Sequence, residues 1–242
     1  MKLFVIASSF LFCATPSGAA AEFALSGPAT QGGLLVGRAP DARSVVFEGR
    51  ALRLAEDGVF LVGFGRDAAP EAELVVPPGD GRIERRVIEV APREYRIQRI
   101  DGLPREKVTP PEAVLARIRE EGARVAAARA NDDPRTDFRD GFVWPLTGRI
   151  SGVYGSQRVL NGEPRRPHFG VDVAAPTGTP VAAPADAVVR LADDDLYFSG
   201  GTLIMDHGHG LTSTFIHLSK ILVEPGQRVR QGEVVAEVGA TG

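Results

Sequence analysis

His168 and Asp172 stand four residues apart in the stretch Arg166-Pro167-His168-Phe169-Gly170-Val171-Asp172-Val173-Ala174-Ala175-Pro176. An imidazole nitrogen and a carboxylate oxygen are both good zinc ligands, so the pair has the composition of two-thirds of a catalytic metal site. Spacing alone does not join them. On a helix the two would share a face, but Gly170, Pro167 and Pro176 disfavour a helix here. On a straight strand they would point the same way yet lie about 13 Å apart, too far to share one ion. A shared metal requires the backbone to bend between them, and Gly170 is the residue able to bend. The alternative is a surface histidine and a turn aspartate that never meet.

The chain that must position this pair has 242 residues, 43% hydrophobic and 24% charged, the balance of a soluble globular protein of one large or two small domains. Net charge is -3 and the pI is near 5.9, so no broad basic footprint points to nucleic acid. Frequent glycine and proline with few aromatics favour β-structure with many turns. Residues 1–21 read as a signal peptide: Lys2, an apolar run from Leu3 to Ala14, then small residues through Ser17-Gly18-Ala19-Ala20-Ala21. That run is short for a bilayer span, so no transmembrane anchor is expected. Cys13 falls within this peptide, and the chain after it has no cysteine. Any zinc must then be held by His, Asp or Glu.

Residues 22–104 read as a β-rich accessory module shaped like a small sandwich. Its apolar runs are Ser44-Val45-Val46-Phe47, Gly58 to Phe64, Glu73-Leu74-Val75-Val76 and the hairpin arm Arg82 to Val90, separated by turn signals. It holds no histidine, so a structural or positioning role is expected. Residues 109–133 read as a helical linker. Thr109-Pro110-Pro111-Glu112 is a capped start, Val114, Leu115, Ile118 and Val125 follow at helical spacing, and Pro134 stops the run. Arg117, Arg119, Glu120, Glu121 and Arg124 read as a solvated face. From 142 to 242 the texture is glycine-punctuated strands. Thr202 to Asp206 and Leu211 to Leu218 form a hairpin around His207-Gly208-His209-Gly210. A final hairpin is expected from Arg228-Val229-Arg230 through Gln231-Gly232 to Val238. Asp193-Asp194-Asp195 reads as a solvated loop. The fold class is mainly β: an N-terminal sandwich-like module, a helical linker and a C-terminal antiparallel β-sheet domain.

From about Phe142 onward the chain resembles the LytM/lysostaphin-type zinc metallopeptidases, secreted enzymes that cut peptide bonds in bacterial peptidoglycan. The matching text is His168-Phe169-Gly170-Val171-Asp172-Val173-Ala174-Ala175-Pro176-Thr177-Gly178-Thr179-Pro180-Val181, then Met205-Asp206-His207-Gly208, Phe215-Ile216-His217-Leu218-Ser219, and Val223-Glu224-Pro225-Gly226-Gln227-Arg228-Val229 with Gly232. The resemblance implies that His168 and Asp172 are zinc ligands and that His217 is the catalytic histidine. It further implies a zinc-bound water as nucleophile, peptidoglycan as substrate, and a periplasmic or secreted location. Zinc lowers the pKa of bound water to about 7, and a neutral histidine beside the metal orients that water or stabilises the oxyanion. Strand parity places His217 on the face of Phe215 and Ser213.

One departure bears on activity. The family completes its site with a later His-x-His pair, and this chain stops at Gly239-Ala240-Thr241-Gly242, where that segment would begin. The peptidase domain is therefore expected to be incomplete, with the third ligand and a second catalytic histidine beyond Gly242 and the fragment inactive. His207 and His209 are expected to be solvated turn residues rather than substitutes. Arg158 and Tyr154 precede the ligand pair and are weak candidates for substrate contact, packing being the competing role. The leading reading is a zinc metalloendopeptidase. The alternative is an inactive LytM-like regulator or wall-binding protein that activates other hydrolases.

Overall fold

The computed structural model describes residues 23–77, 83–102 and 112–242. The signal peptide, the turn through Pro78-Gly79-Asp80-Gly81 and the cap Thr109-Pro110-Pro111 lie outside the described residues. The chain is mainly β.

The first module is two small sheets face to face. One has the order β1 (Ala24–Ser26), β2 (Leu34–Arg38), β5 (Val59–Gly63). The other has the order β4 (Arg50–Leu52), β3 (Val45–Phe47), β6 (Glu71–Val76), β7 (Glu84–Glu89). Period-2 alternation decides which side chains enter. On β6, Ala72, Leu74 and Val76 are buried between exposed Glu71 and Glu73. They meet Leu35, Val45, Phe60, Val62 and Ile88 in one core. Strand β5 is unbroken apolar text because both of its faces are covered. Phe60 and Val62 face the module core, whereas Val59 and Leu61 pack on Phe138 beside Leu211.

That second face attaches the module to the rest of the chain. The attachment continues through β8 (Ile97–Ile100), which pairs in parallel with β10 (Gln157–Leu160), itself paired with β11 (Glu163–Pro164). Arg139 closes on Asp57 from across the boundary, and this hydrogen-bonded pair lowers the Asp57 pKa to about 2.

Helix α1 (Glu112–Arg129) braces the second sheet, packing against β14 (Ala187–Leu196) and β15 (Gly200–Asp206). Here two expectations are corrected. The charged face of α1 is not merely solvated: Arg117 reaches Asp195, Arg124 reaches Asp193, and Glu121 is buried with Oε2 accepting the Tyr197 N–H at 2.8 Å. Asp193-Asp194-Asp195 is accordingly the end of strand β14 and not a loop, because α1 supplies cations to two of the three carboxylates.

The large sheet has the order β13 (Pro180–Ala182), β18 (Val234–Val238), β16 (Thr212–Ile221), β15, β14, β17 (Arg228–Val229). Its central strand β15 is buried along its whole length. Leu203 and Met205 point into a core with Val181, Val189, Leu218, Val229 and Val235. The expected final hairpin does not form. β17 pairs with β14 and β18 pairs with β13 and β16, although a turn with Glu233 N–H donating to the Arg230 carbonyl separates them. The sheet is curled, so its two ends approach and one short turn crosses between them. Local turn text reports the reversal but not which strands it serves.

A candidate metal centre in a basic cleft

β12 (Asp172–Ala174) lies antiparallel to β9 (Arg149–Gly152), and the chain bends at Gly170 just before it. The bend carries His168 Nε2 to 3.0 Å from Asp172 Oδ1. The pair that spacing left open is thus brought together. Gly170 is the bending residue, but not through a conformation reserved for glycine: its φ is not among the positive values, and a Cβ there would meet only His168 Nε2, at an ordinary 3.7 Å.

The glycine that the pair needs is Gly152, opposite Asp172 in the ladder. A Cβ on Gly152 would stand 1.9 Å from Asp172 Oδ2. Its proton side chain leaves the space in which the carboxylate sits. Gly152 is in the sequence text as one of several glycines, and nothing local marks it; only the pairing of β9 with β12 does. Gly152→Ala is expected to displace the carboxylate and weaken zinc binding at least tenfold with the circular dichroism spectrum kept, a result read by zinc titration. Unchanged affinity would show that the carboxylate has somewhere else to go.

His168 Nδ1 lies 3.2 Å from the Val153 carbonyl, a contact in which the imidazole donates its N–H. Nε2 and the Asp172 carboxylate face each other at hydrogen-bond distance. That face is held by an Nε2–H donated to the carboxylate or by a cation shared between the Nε2 lone pair and Oδ1. Bonds of about 2.0–2.1 Å to a tetrahedral zinc separate ligand atoms by about 3.3 Å, near what the pair shows. The residues fit the metal, and the Val153 carbonyl fixes the ligand ring from behind. Among the described residues, no group of three or more His, Cys, Asp or Glu gathers to hold an ion.

His217 is not among the residues that line the cleft. Its backbone N–H donates to the Ser199 carbonyl at 2.8 Å, next to Phe198, which lines the cleft with His168 and Asp172. The parity expectation fails here. β16 carries one extra residue opposite Gly201–Leu203, His217 adopts φ 61°, and it is Leu218 that joins Phe215 in the core. A bulge re-aims a side chain in this way. The exposed imidazole donates from Nδ1 to the Thr241 carbonyl at 2.6 Å, which leaves Nε2 free. Thr241 is itself pinned, its hydroxyl donating to the Leu218 carbonyl and accepting the Gly201 N–H.

His207 and His209 are not solvated turn residues. His207 is fully buried: Nδ1 donates to the Asp186 carbonyl at 2.7 Å, Nε2 accepts from Ser213 Oγ at 2.9 Å, and Phe142 packs edge-on. Both nitrogens are occupied, so its role is structural. The His209 ring packs on Phe138 at the module boundary. The turn is covered because Arg135 and Asp137 cross it, Asp137 N–H donating to the His207 carbonyl. Burial lowers the pKa of both histidines below 6.5, against weaker opposing contacts. A histidine with a depressed folded pKa stabilises the fold above its unfolded pKa, and that stability is lost as pH falls through the folded value. Stability should therefore decline as pH falls below about 6.5, and urea midpoints between pH 7.5 and 5 are the check.

Tyr154 is used in packing: it lies over Gly32 between Tyr95 and Phe169 and is not part of the cleft lining. Arg158, on β10, does line the cleft.

Comparison with known proteins assigns this architecture. The family model described as peptidase family M23 matches residues 166–242. Residues 166–242 belong to peptidase family M23. The M23 segment contains His168, Asp172 and His217. Peptidoglycan DD-endopeptidase ShyA of Vibrio cholerae is 38% identical over 95 residues, 39% of this chain and 22% of that protein. Cell division protein DipM of Caulobacter vibrioides is 33% identical over 135 residues, 56% of this chain and 21% of that protein. The chain thus spans about a fifth of each of these curated relatives. A crystal structure of a proposed M23 peptidase from Pseudomonas aeruginosa superposes with a TM-score of 0.65 at 29% identity, covering 88% of this chain and 84% of that one. That breadth takes in the accessory module as well as the M23 domain.

Proposed function

We propose that the protein is a zinc-dependent endopeptidase that cleaves peptide cross-links of bacterial peptidoglycan in the periplasm or outside the cell, after removal of residues 1–21. The observation that carries this reading is the convergence of His168 Nε2 and Asp172 Oδ1 at 3.0 Å in an open cleft. The similarity to ShyA, a peptidoglycan DD-endopeptidase, supports the substrate class. His168 and Asp172 would hold the zinc, which when bound would supply Lewis-acid activation of water and of an amide carbonyl. The protein's part is orientation. His168 is held by the Val153 carbonyl, Asp172 by the space over Gly152. His217 is held by the Thr241 carbonyl with Nε2 free to exchange a proton with, or donate a hydrogen bond to, a reacting oxygen. Phe198 and Val153 line the cleft with His168 and Asp172.

The second reading, a regulator or wall-binding protein without turnover, is favoured by one observation: the described residues bring two metal ligands together rather than three. The same experiment separates the two. The protein is loaded with zinc, its metal content measured, and purified peptidoglycan offered as substrate. Zinc-dependent release of peptide fragments supports the endopeptidase. Binding to the wall without release, with or without zinc, supports the regulator. Because two ligands hold zinc less well than three, weak affinity is expected for this chain, and His168→Ala is expected to remove it.

A further inference from the structure

For a protein of net charge -3, the cleft beside His168 and Asp172 has the opposite sign. It encloses about 1180 Å³, and Arg96, Arg158, Arg165 and Arg166 all line it. Asp172 is the one acidic side chain among the described lining residues. Among the described residues, Arg96, Arg158 and Arg166 form no ion pair. Arg165 reaches Glu163 only at 3.5 Å, while its Nε is buried with no acceptor. Four guanidinium groups line one cavity that holds a single carboxylate, and the buried Nε of Arg165 has no acceptor; an anion in the cavity would answer both. Leu160 and Phe198 also line it, apolar surface that a compact inorganic anion would not use. The cations also come from three different segments of the chain. Arg96 precedes β8 in the accessory module, Arg158 is on β10, and Arg165 with Arg166 lies on the loop leading into His168.

We propose that this cleft is a carboxylate-recognition subsite, in which Arg96, Arg158, Arg165 and Arg166 seat a peptide segment bearing free carboxylates next to the His168–Asp172 pair. Guanidinium groups bind carboxylates through paired, charge-assisted hydrogen bonds, and separate arginines suit separate charges along an extended chain. The accessory module then has more than a positioning role, since Arg96 puts one of its side chains in the substrate path. This inference rests on the peptide-hydrolysing reading and defines its substrate as acidic.

The test uses the whole protein stripped of metal on a chelating resin, so that it does not depend on zinc or on turnover. Two end-capped pentapeptides are titrated by calorimetry, one alternating alanine with glutamate and one with glutamine in place of glutamate. The acidic peptide is expected to bind at least tenfold more tightly, with an affinity that falls as salt is raised. The double substitution Arg96→Gln, Arg158→Gln should cost the acidic peptide at least tenfold and leave the glutamine peptide unchanged. Both side chains are exposed, so folding is not at issue, and Arg166→Gln is the independent second variant. Equal binding of the two peptides overturns the proposal, as does an acidic-peptide affinity indifferent to all three substitutions. Tighter binding of inorganic phosphate than of the acidic peptide also overturns it. Failure to bind zinc or to cleave peptidoglycan would overturn the proposed function and leave these binding results intact.

Discussion

Asp206→Ala is expected to destabilise the protein by about 3 kcal/mol, the lower end of the roughly 3–5 kcal/mol that follows when one partner of a buried ion pair is removed. Asp206 is fully buried at the end of β15. Its Oδ2 receives Arg190 Nη2 at 2.8 Å and Arg135 Nη2 at 3.0 Å, and its Oδ1 receives the Gly208 N–H at 2.8 Å. The alanine would leave Arg135 and Arg190 sharing only Asp133, at 3.0 and 3.2 Å, and one buried N–H without an acceptor. Their side chains remain 21% and 25% exposed, so water reaches them in part, which sets the lower end. The damage should spread along the chain. Arg135 also binds Asp137, which holds Arg228 with contacts of 2.7 and 2.9 Å. Those contacts fasten residues 133–139, the segment that carries Phe138 into the inter-module contact, onto the sheet. Urea unfolding followed by circular dichroism measures the loss, and Asp206→Asn, which keeps an acceptor for Gly208, should fall between the two. A change below about 1 kcal/mol would mean that water replaces the carboxylate.

The second large effect is on chemistry. In a zinc-loaded preparation that cleaves peptidoglycan, His217→Ala should lower turnover by about 10²–10⁴-fold, the range for loss of a positioned acid–base group, with bound zinc unchanged. His168→Ala should lose zinc and turnover together. The split follows from the geometry, because His168 points Nε2 at Asp172 whereas His217 is tied by Nδ1 to Thr241. The left-handed backbone at His217 costs about 1–3 kcal/mol for a residue with a side chain. It is maintained by the Ser199 contact and by the bulge in β16. Turnover near that of the unaltered protein in His217→Ala would sink the assignment, and metal analysis of the same samples tells the two histidines apart.

The sequence by itself determined the β-rich module, the helix, the antiparallel β character of the rest and the three residues on which the proposed chemistry rests. Alternation on β6 and the unbroken apolar run of β5 are local patterns, and local patterns survive without a partner in view. His168, Asp172 and His217 were picked out by motifs that resemble the LytM/lysostaphin-type peptidases, since residue types and spacing alone left their roles open. What only the tertiary structure decided lies in contacts distant along the chain. Gly152 is needed because β9 lies against β12. His207 is buried because residues 135–137 cross its turn. The helix face that reads as solvated meets Asp193 and Asp195 because α1 lies along β14. β17 and β18 look like a hairpin in the text, yet the curl of the sheet gives each a different neighbour. In each case the deciding partner is tens of residues away, where no local spacing reports it. The same holds at the metal pair: four residues of spacing could not say whether His168 and Asp172 meet, and a bend with a bare glycine opposite it brings them to 3.0 Å.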